Sequence, residues 1–173
     1  MSDIIPPALA AHFDQEDARI SDQIRRYGVS IQMVGGGQCS VPGCCSPASE
    51  RPFAYTIGLF GIGHPELAVV GLDTPSSSRA LNAAANLVLD GGRIMPGVEM
   101  KVPGWAARIL PAEVPNPGEI AYNANGHYWR PAEYSVPLLQ LMYPDRRGRF
   151  PTDPSYSGSR RRQPLPGEWD ARC

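Results

Sequence analysis

The strongest strand signal in this 173-residue chain is the stretch Phe53-Ala54-Tyr55-Thr56-Ile57-Gly58-Leu59. Large apolar side chains alternate in it with small residues, which is typical of a strand that packs one face against a core. A glycine-rich turn at 61–65 follows, and residues 66–72 (E-L-A-V-V-G-L) have the composition of a second, more buried strand. We therefore predict that the two strands form an antiparallel pair.

Helices and shorter strands are predicted around this pair. Apolar residues at helical spacing predict a helix over residues 8–27, which ends at Gly28. Thr74 followed by Pro75 is typical of a cap and first turn, so a second helix is predicted to begin there. Further predicted elements are strands at 29–33, 98–102, 106–110 and 136–143 and a short helix at 119–129. This order predicts a single α+β domain, a mainly antiparallel sheet with two or three helices packed on it.

Composition sets the expected boundaries of the domain. The chain has 18 glycines and 19 prolines, so it is rich in turns and its elements are short. We predict that residues 1–150 form the α+β domain and that residues 151–173 form a Pro/Arg-rich C-terminal tail. The run Arg160-Arg161-Arg162 in this tail indicates a solvated segment more than a binding patch.

Charge and missing motifs exclude several classes of protein. The 16 Lys and Arg residues nearly balance the 17 Asp and Glu residues, which argues against a general binder of polyanions. Nucleic-acid binding through Arg146–Arg149 and Arg160–Arg162 is thus the weakest functional hypothesis. The chain has no apolar run long enough to span a membrane and no signal peptide, so a cytoplasmic location is expected. It also lacks the motifs of serine hydrolases, P-loop NTPases and zincins.

Several stretches occur in a recognisable order. They are F-A-Y-T-I-G-L at 53–59, G-H-P-E-L at 63–67, L-D-G-G-R at 89–93, L-Q-L-x-Y-P-D-x-x-G-R-F-P at 139–151, and Gln163-Pro164. Together they resemble a bacterial family described only as a domain of unknown function, over about residues 22–166. The resemblance implies a shared fold and names no activity or cofactor.

Three cysteines lie close together in a loop rich in glycine and proline. Cys39, Cys44 and Cys45 have the spacing C-x4-C-C, and thiolates on such a turn can converge on a tetrahedral Zn²⁺ ion. His64 is the nearest fourth ligand in the sequence, so zinc is the possible cofactor. Free structural thiols and a disulfide or redox role are the alternatives. A loop of this kind is the basis of one functional hypothesis, a non-catalytic interaction module that binds a protein partner.

A polar set near the central strand suggests the other main hypothesis. His64 and Glu66 are candidate catalytic residues, because an imidazole exchanges protons near neutral pH and a carboxylate can orient it or act as a base; a purely structural turn is the alternative. Tyr55, Thr56 and Gln140 are candidate ligand-binding residues. Thr56 lies on the small face of its strand, and Gln140 interrupts an apolar strand, where it is either buried and hydrogen-bonded or in water.

The best-supported hypothesis is accordingly a small cytoplasmic ligand-binding domain or enzyme. Its polar pocket is expected beside the Phe53–Leu59 strand, with a small molecule as the partner.

Overall fold

The structure, a computed structural model, describes residues 6–35 and 51–171. Its helices are α1 (Pro7–Tyr27), α2 (Thr74–Leu89) and α3 (Tyr122–His127). Its strands are β1 (Ser30–Val34), β2 (Phe53–Ile57), β3 (Glu66–Val70), β4 (Met100–Lys101), β5 (Arg108–Glu113) and β6 (Leu138–Met142). Within these residues, no helix is long and apolar enough to cross a membrane.

The six strands form one sheet with the order β1-β2-β3-β6-β5-β4. The predicted β2–β3 pair is antiparallel, with Phe53 opposite Val70 and Tyr55 opposite Ala68. The β1–β2, β5–β6 and β4–β5 pairs are antiparallel as well, whereas β3 and β6 run parallel. A single α+β domain with a mainly antiparallel sheet is therefore confirmed, and the parallel pair lies at its centre.

Helices cover both faces of the sheet. Ala54 of β2 and Leu67 and Val69 of β3 pack against the apolar side of α2. Phe53, Tyr55 and Ile57 point the other way, into a second core with residues of α1 and α3. Every residue of β2 and β3 is consequently buried, which accounts for their nearly continuous apolar sequence.

The turn between α1 and β1 packs directly against the end of β2. Gly28 ends α1 in the left-handed region, as predicted. Gly58 has a φ of +136°, and a Cβ there would lie 2.6 Å from the carbonyl oxygen of Gly28 and 3.1 Å from the Cα of Val29. The chain itself therefore fills the space beside Gly58.

The start of α2 differs from expectation by one residue, and the position of Pro137 agrees with one of two arrangements expected for it. The cap of α2 is Asp73, whose carboxylate accepts a hydrogen bond from the Ser76 N–H at 2.7 Å, so the helix begins one residue earlier than the Thr74 cap predicts. Strand β6 lies inside the sheet despite Pro137. It begins at Leu138, which leaves Pro137 outside the ladder, one of the two arrangements that proline permits.

The C-terminal segment, residues 151–171, packs on the sheet although it contains no helix or strand. Its arginines at 160–162 are exposed, as expected for a solvated segment, but Gln163, Pro164 and Trp169 are buried. The Trp169 ring lies 5.0 Å from the ring of Phe53. Residues 163–169 of this segment therefore cover part of one sheet face, whereas much of the remainder is exposed.

We predict that Trp169→Ala lowers the free energy of unfolding by about 3–5 kcal/mol, because it removes a large buried side chain from the Phe53 face. Chemical denaturation measures this change. Ser155→Ala, an exposed position in the same segment, is the control and is expected to have no effect. An unchanged stability in Trp169→Ala would show that the segment is not part of the folded core.

Candidate functional site

The Glu66 carboxylate organises the connection between β2 and β3. Its side chain is fully buried at 0% exposure. Oε1 accepts hydrogen bonds from the backbone N–H groups of Gly58 (2.8 Å) and Phe60 (3.0 Å). Oε2 accepts from the Thr56 hydroxyl at 2.6 Å and from the Leu59 N–H at 3.3 Å. Four donors therefore surround the carboxylate and hold the residues after β2 in place.

Among these four donors, the orientation of the Thr56 side chain is fixed. Its Oγ1 accepts a hydrogen bond from the backbone N–H of Leu67 at 2.9 Å, so its own hydrogen is directed at Glu66. Burial raises the pKa of the Glu66 carboxyl, while the hydrogen bonds from Thr56 and the backbone oppose that rise. The expected ligand-binding residue Thr56 and the expected catalytic residue Glu66 thus contact each other directly.

Two phenols lie near this carboxylate, the buried Tyr55 and the half-buried Tyr128. Burial, together with the charge of Glu66, raises the pKa of Tyr128 to about 12, and its hydroxyl accepts a hydrogen bond from the Gly61 N–H. Burial likewise raises the pKa of Tyr55 to about 12, opposed by a hydrogen bond from the backbone N–H of Asn123. Both phenols are neutral at physiological pH, so neither is a base.

His64 binds the backbone through both ring nitrogens. Its Nε2 accepts a hydrogen bond from the Ile94 N–H at 3.1 Å, so Nδ1 carries the hydrogen and donates it to the carbonyl of Pro65 at 2.7 Å. The ring is 6% exposed. His64 thereby joins the β2–β3 connection to the chain after α2. The backbone groups that bind His64 are not those that bind Glu66.

Gln140 is hydrogen-bonded to the C-terminal segment. It is fully buried, which decides between the two alternatives that the sequence left open. Its Oε1 accepts a hydrogen bond from the Trp169 indole, and its Nε2 donates to the carbonyl of Pro164, both at 2.8 Å. The amide therefore holds the C-terminal segment.

The predicted zinc ligands Cys39, Cys44 and Cys45 lie outside the described residues. Within residues 6–35 and 51–171, no group of three or more His, Cys, Asp or Glu side chains is arranged to hold a metal ion. For His64 to serve as a fourth ligand, one of its nitrogens would have to leave its backbone partner.

An open groove lies elsewhere, where β3 and β6 end. Because these two strands are parallel, the turns that follow them lie side by side. This groove, which we call the arginine groove, has a volume of about 560 Å³. It is lined by Gly71, Leu72, residues 143–146, residues 156–159, Arg162 and Gln163.

The walls of the arginine groove are fixed by side chain to backbone hydrogen bonds. The Gln163 amide accepts from the Tyr143 N–H at 2.8 Å and donates to the Tyr143 carbonyl and the Tyr156 hydroxyl, both at 3.0 Å. The Tyr143 hydroxyl donates to the carbonyl of Val70 at 2.9 Å. Gly71 is required, because a Cβ there would lie 2.3 Å from the carbonyl oxygen of Arg162.

Asp145 holds the turn after β6. Its side chain is 3% exposed and pairs with Arg149. It accepts hydrogen bonds from the backbone N–H groups of Arg147, Arg149 and Ser157 and from the Ser157 hydroxyl. Desolvation acts to raise the pKa of Asp145, but these hydrogen bonds outweigh it and hold the pKa well below its usual range.

The segment that supplies most of the groove lining is rich in arginine. Residues 143–163 contain six arginines and two aspartates, although the whole chain has a formal net charge of -1. Asp145 faces donors within its own loop, and Asp153 accepts a hydrogen bond from the Ser155 N–H. Arg146 and Arg162 are exposed and line the groove, and one Arg162 nitrogen also donates to the carbonyl of Gly71.

The sequence did not identify this groove as a candidate site. The sequence shows a Tyr-Pro-Asp run after β6. The parallel pairing of β3 with β6 determines which strand end lies beside this run. Local patterns do not reveal that pairing.

A protein-family model for a domain of unknown function, DUF4262, matches residues 23–157. The chain belongs to the DUF4262 family. This membership confirms the resemblance found in the sequence, and it brings no assigned activity. No curated protein and no solved structure matches the chain. The DUF4262 match includes three parts of the groove, around residues 71, 143–146 and 156–157, and ends before Arg162 and Gln163.

We predict that Glu66→Gln lowers the free energy of unfolding by about 2–4 kcal/mol. The amide NH₂ group replaces an acceptor with a donor, so at least one buried backbone N–H loses its partner whichever way the amide is turned. Chemical denaturation measures the loss, and Glu133→Gln, an exposed position, is the matched control. Equal stability of Glu66→Gln and the wild type would refute the structural role of the carboxylate.

We also predict a pH-dependent difference for Asp145→Asn. The pKa of Asp145 is lower in the folded chain than in the unfolded chain, so the ionised group stabilises the fold above the unfolded pKa. That contribution is lost as the pH falls. The melting temperature of Asp145→Asn should thus lie below that of the wild type at about pH 7, and the gap should narrow toward about pH 3.

Asp14→Asn on α1 is the control, because Asp14 is exposed and distant from the groove loop in the sequence. Its melting temperature should follow that of the wild type throughout the titration. A gap for Asp145→Asn that stays constant with pH would contradict the assigned role of the carboxylate.

Proposed function

We propose that this DUF4262 protein is a small-molecule-binding domain whose site is the arginine groove and whose ligand carries a negative charge. One observation carries the proposal: Arg146 and Arg162, from separate segments, line one groove at the carboxyl ends of two parallel strands. Crevices at such strand ends are common ligand sites in sheets with parallel strands. A volume of about 560 Å³ also lies within the range of small-molecule sites.

The chemistry of the lining residues suits an anion. Guanidinium groups bind carboxylates and phosphates through two parallel hydrogen bonds. The Tyr156 hydroxyl accepts from Gln163, which leaves its own hydrogen to donate to a ligand oxygen. A small anion needs only a few such contacts, whereas a long polyanion requires a broad positive surface that a chain with a net charge of -1 does not favour.

In this proposal, the residues first expected to line a pocket have structural roles. Glu66 and Thr56 hold the β2–β3 connection, and His64 ties it to the backbone at Ile94. Tyr55 supports α3 through Asn123, and Gln140 binds the C-terminal segment. Two observations support these structural roles: the side chains are buried, and they form hydrogen bonds with other groups of the protein.

Zinc binding by Cys39, Cys44 and Cys45 stays a separate prediction, as does the interaction module that would depend on it. Both assume a cytoplasmic location, in which thiols are reduced. Elemental analysis and thiol titration of protein purified under reducing conditions test them. Free thiols without metal would remove the mechanism of that alternative.

We predict that pyrophosphate binds the wild-type protein and that Arg146→Gln weakens this binding about tenfold or more, because a charge-assisted hydrogen bond is lost. Isothermal titration calorimetry measures the dissociation constant. Arg25→Gln is the matched control, since Arg25 is an exposed arginine on α1. Arg162→Gln should weaken binding as well, with an added loss of stability from its bond to Gly71.

Two results would overturn the proposal. The first is that neither pyrophosphate nor citrate binds the wild-type protein, or that Arg25→Gln and Arg146→Gln weaken binding equally. The second is tight binding of a single-stranded oligonucleotide with a steep salt dependence, which would assign the arginines to a nucleic acid instead.

A further inference from the structure

Two tyrosines line the arginine groove together with Arg146 and Arg162. The turn after β6 contributes Tyr143 and Arg146, and the C-terminal segment contributes Tyr156 and Arg162. Both tyrosines are half-buried, so neither is enclosed in the core of the protein. Each of the two segments therefore supplies one aromatic side chain and one cationic side chain to the same groove.

Hydrogen bonds and close packing hold both tyrosines in place. The Gln163 Nε2 donates to the Tyr143 carbonyl and to the Tyr156 hydroxyl, both at 3.0 Å, so one amide joins the two residues. A Cβ at Gly158 would lie 2.2 Å from the Tyr156 hydroxyl oxygen, and a Cβ at Gly71 would lie 3.2 Å from the Tyr143 hydroxyl oxygen. The aromatic part of the groove is thus pre-formed, which reduces the conformational entropy that a ligand loses on binding the site.

Neither tyrosine contacts another aromatic ring in the part of the chain that the structure describes. The ring pairs at residues 6–35 and 51–171 involve other side chains. The guanidinium groups that lie over rings in these ranges are those of Arg108, on Phe150, and Arg130, on Phe60. The two groove tyrosines are therefore available to stack with a flat ligand, which stabilises a complex by about 0.5–1.5 kcal/mol beyond the burial of apolar area.

We infer that the ligand of the arginine groove is an aromatic anion, a flat ring that carries an anionic group. The ring packs against Tyr143 and Tyr156, and the anionic group binds Arg146 and Arg162. Pro144, which also lines the groove and is half-buried, adds apolar contact to the ring. This inference rests on the proposed function and adds the class of ligand to it.

Calorimetry of the full chain with phenyl, cyclohexyl and methyl phosphate tests the ligand class. The three probes share one anionic group, so their affinities differ only through the attached group. Phenyl phosphate should bind at least about tenfold more tightly than methyl phosphate, because the ring buries apolar area. It should also bind about threefold more tightly than cyclohexyl phosphate, which has a ring of similar size that cannot stack. Equal affinities of phenyl and cyclohexyl phosphate would overturn the inference.

Two variants of Tyr156 separate the ring from the hydroxyl. Both Tyr156→Phe and Tyr156→Leu lose the hydrogen bond to Gln163, but only the leucine variant also loses the ring. Tyr156→Phe should keep the threefold preference for phenyl over cyclohexyl phosphate, and Tyr156→Leu should reduce it to below about 1.5-fold. Tyr122→Leu, at an exposed tyrosine on α3, is the control and should keep the wild-type preference. An equal preference in the two Tyr156 variants would refute stacking at this ring.

Nuclear Overhauser effects give a readout that does not depend on the leucine variant folding. The Tyr156 ring resonances are assigned by their change in Tyr156→Phe, and they should show contacts with the ring protons of bound phenyl phosphate. Bound phenyl phosphate without such contacts would overturn the inference. In that case pyrophosphate binding that depends on Arg146 would still support the proposed function, whereas a failure of every anion to bind would reject both.

Discussion

The fold of this DUF4262 protein depends on one buried carboxylate whose two oxygens both accept hydrogen bonds. Glu66 has no cationic partner among its described contacts and relies on Thr56 and three consecutive backbone N–H groups. A buried charge is tolerated only with such complete solvation by the protein. These hydrogen bonds to Glu66 fix the chain directly after β2, and a hydrogen bond from the Ile94 N–H to His64 holds the same connection. The stretches F-A-Y-T-I-G-L and G-H-P-E-L are thus explained largely by one structural requirement.

The parallel pairing of β3 with β6 is the second constraint, and it places the turns that line the arginine groove side by side. It brings Gly71 and Tyr143 together, and Gln163 then closes the arrangement from the C-terminal segment. The fourth stretch of the family resemblance, at 139–151, together with Gln163, therefore contributes much of the lining of the arginine groove. The same residues stabilise the fold and line the proposed site, so membership in the family is explained equally well by either role.

Local patterns in the sequence predicted the local structure well. Alternation predicted the β2–β3 pair and the opposite directions of Phe53 and Ala54, and helical spacing with Gly28 predicted α1. Features that depend on distant residues were not predictable in this way. The burial of Gln140 is decided by Trp169, and the groove is decided by a strand order that no local signal encodes. Cys39, Cys44 and Cys45 lie outside the described ranges, so metal binding by them stays a prediction.

The packing of the C-terminal segment bears on how the domain should be delimited in the laboratory. A recombinant fragment cut where the family match stops, at residue 157, would lack Trp169 and the Pro164 carbonyl. The Gln140 amide and the Phe53 ring would then face water on a bare sheet surface, which favours aggregation. Similarity therefore underestimates the extent of the folding unit, and expression through Ala171 retains the whole of the described C-terminal segment.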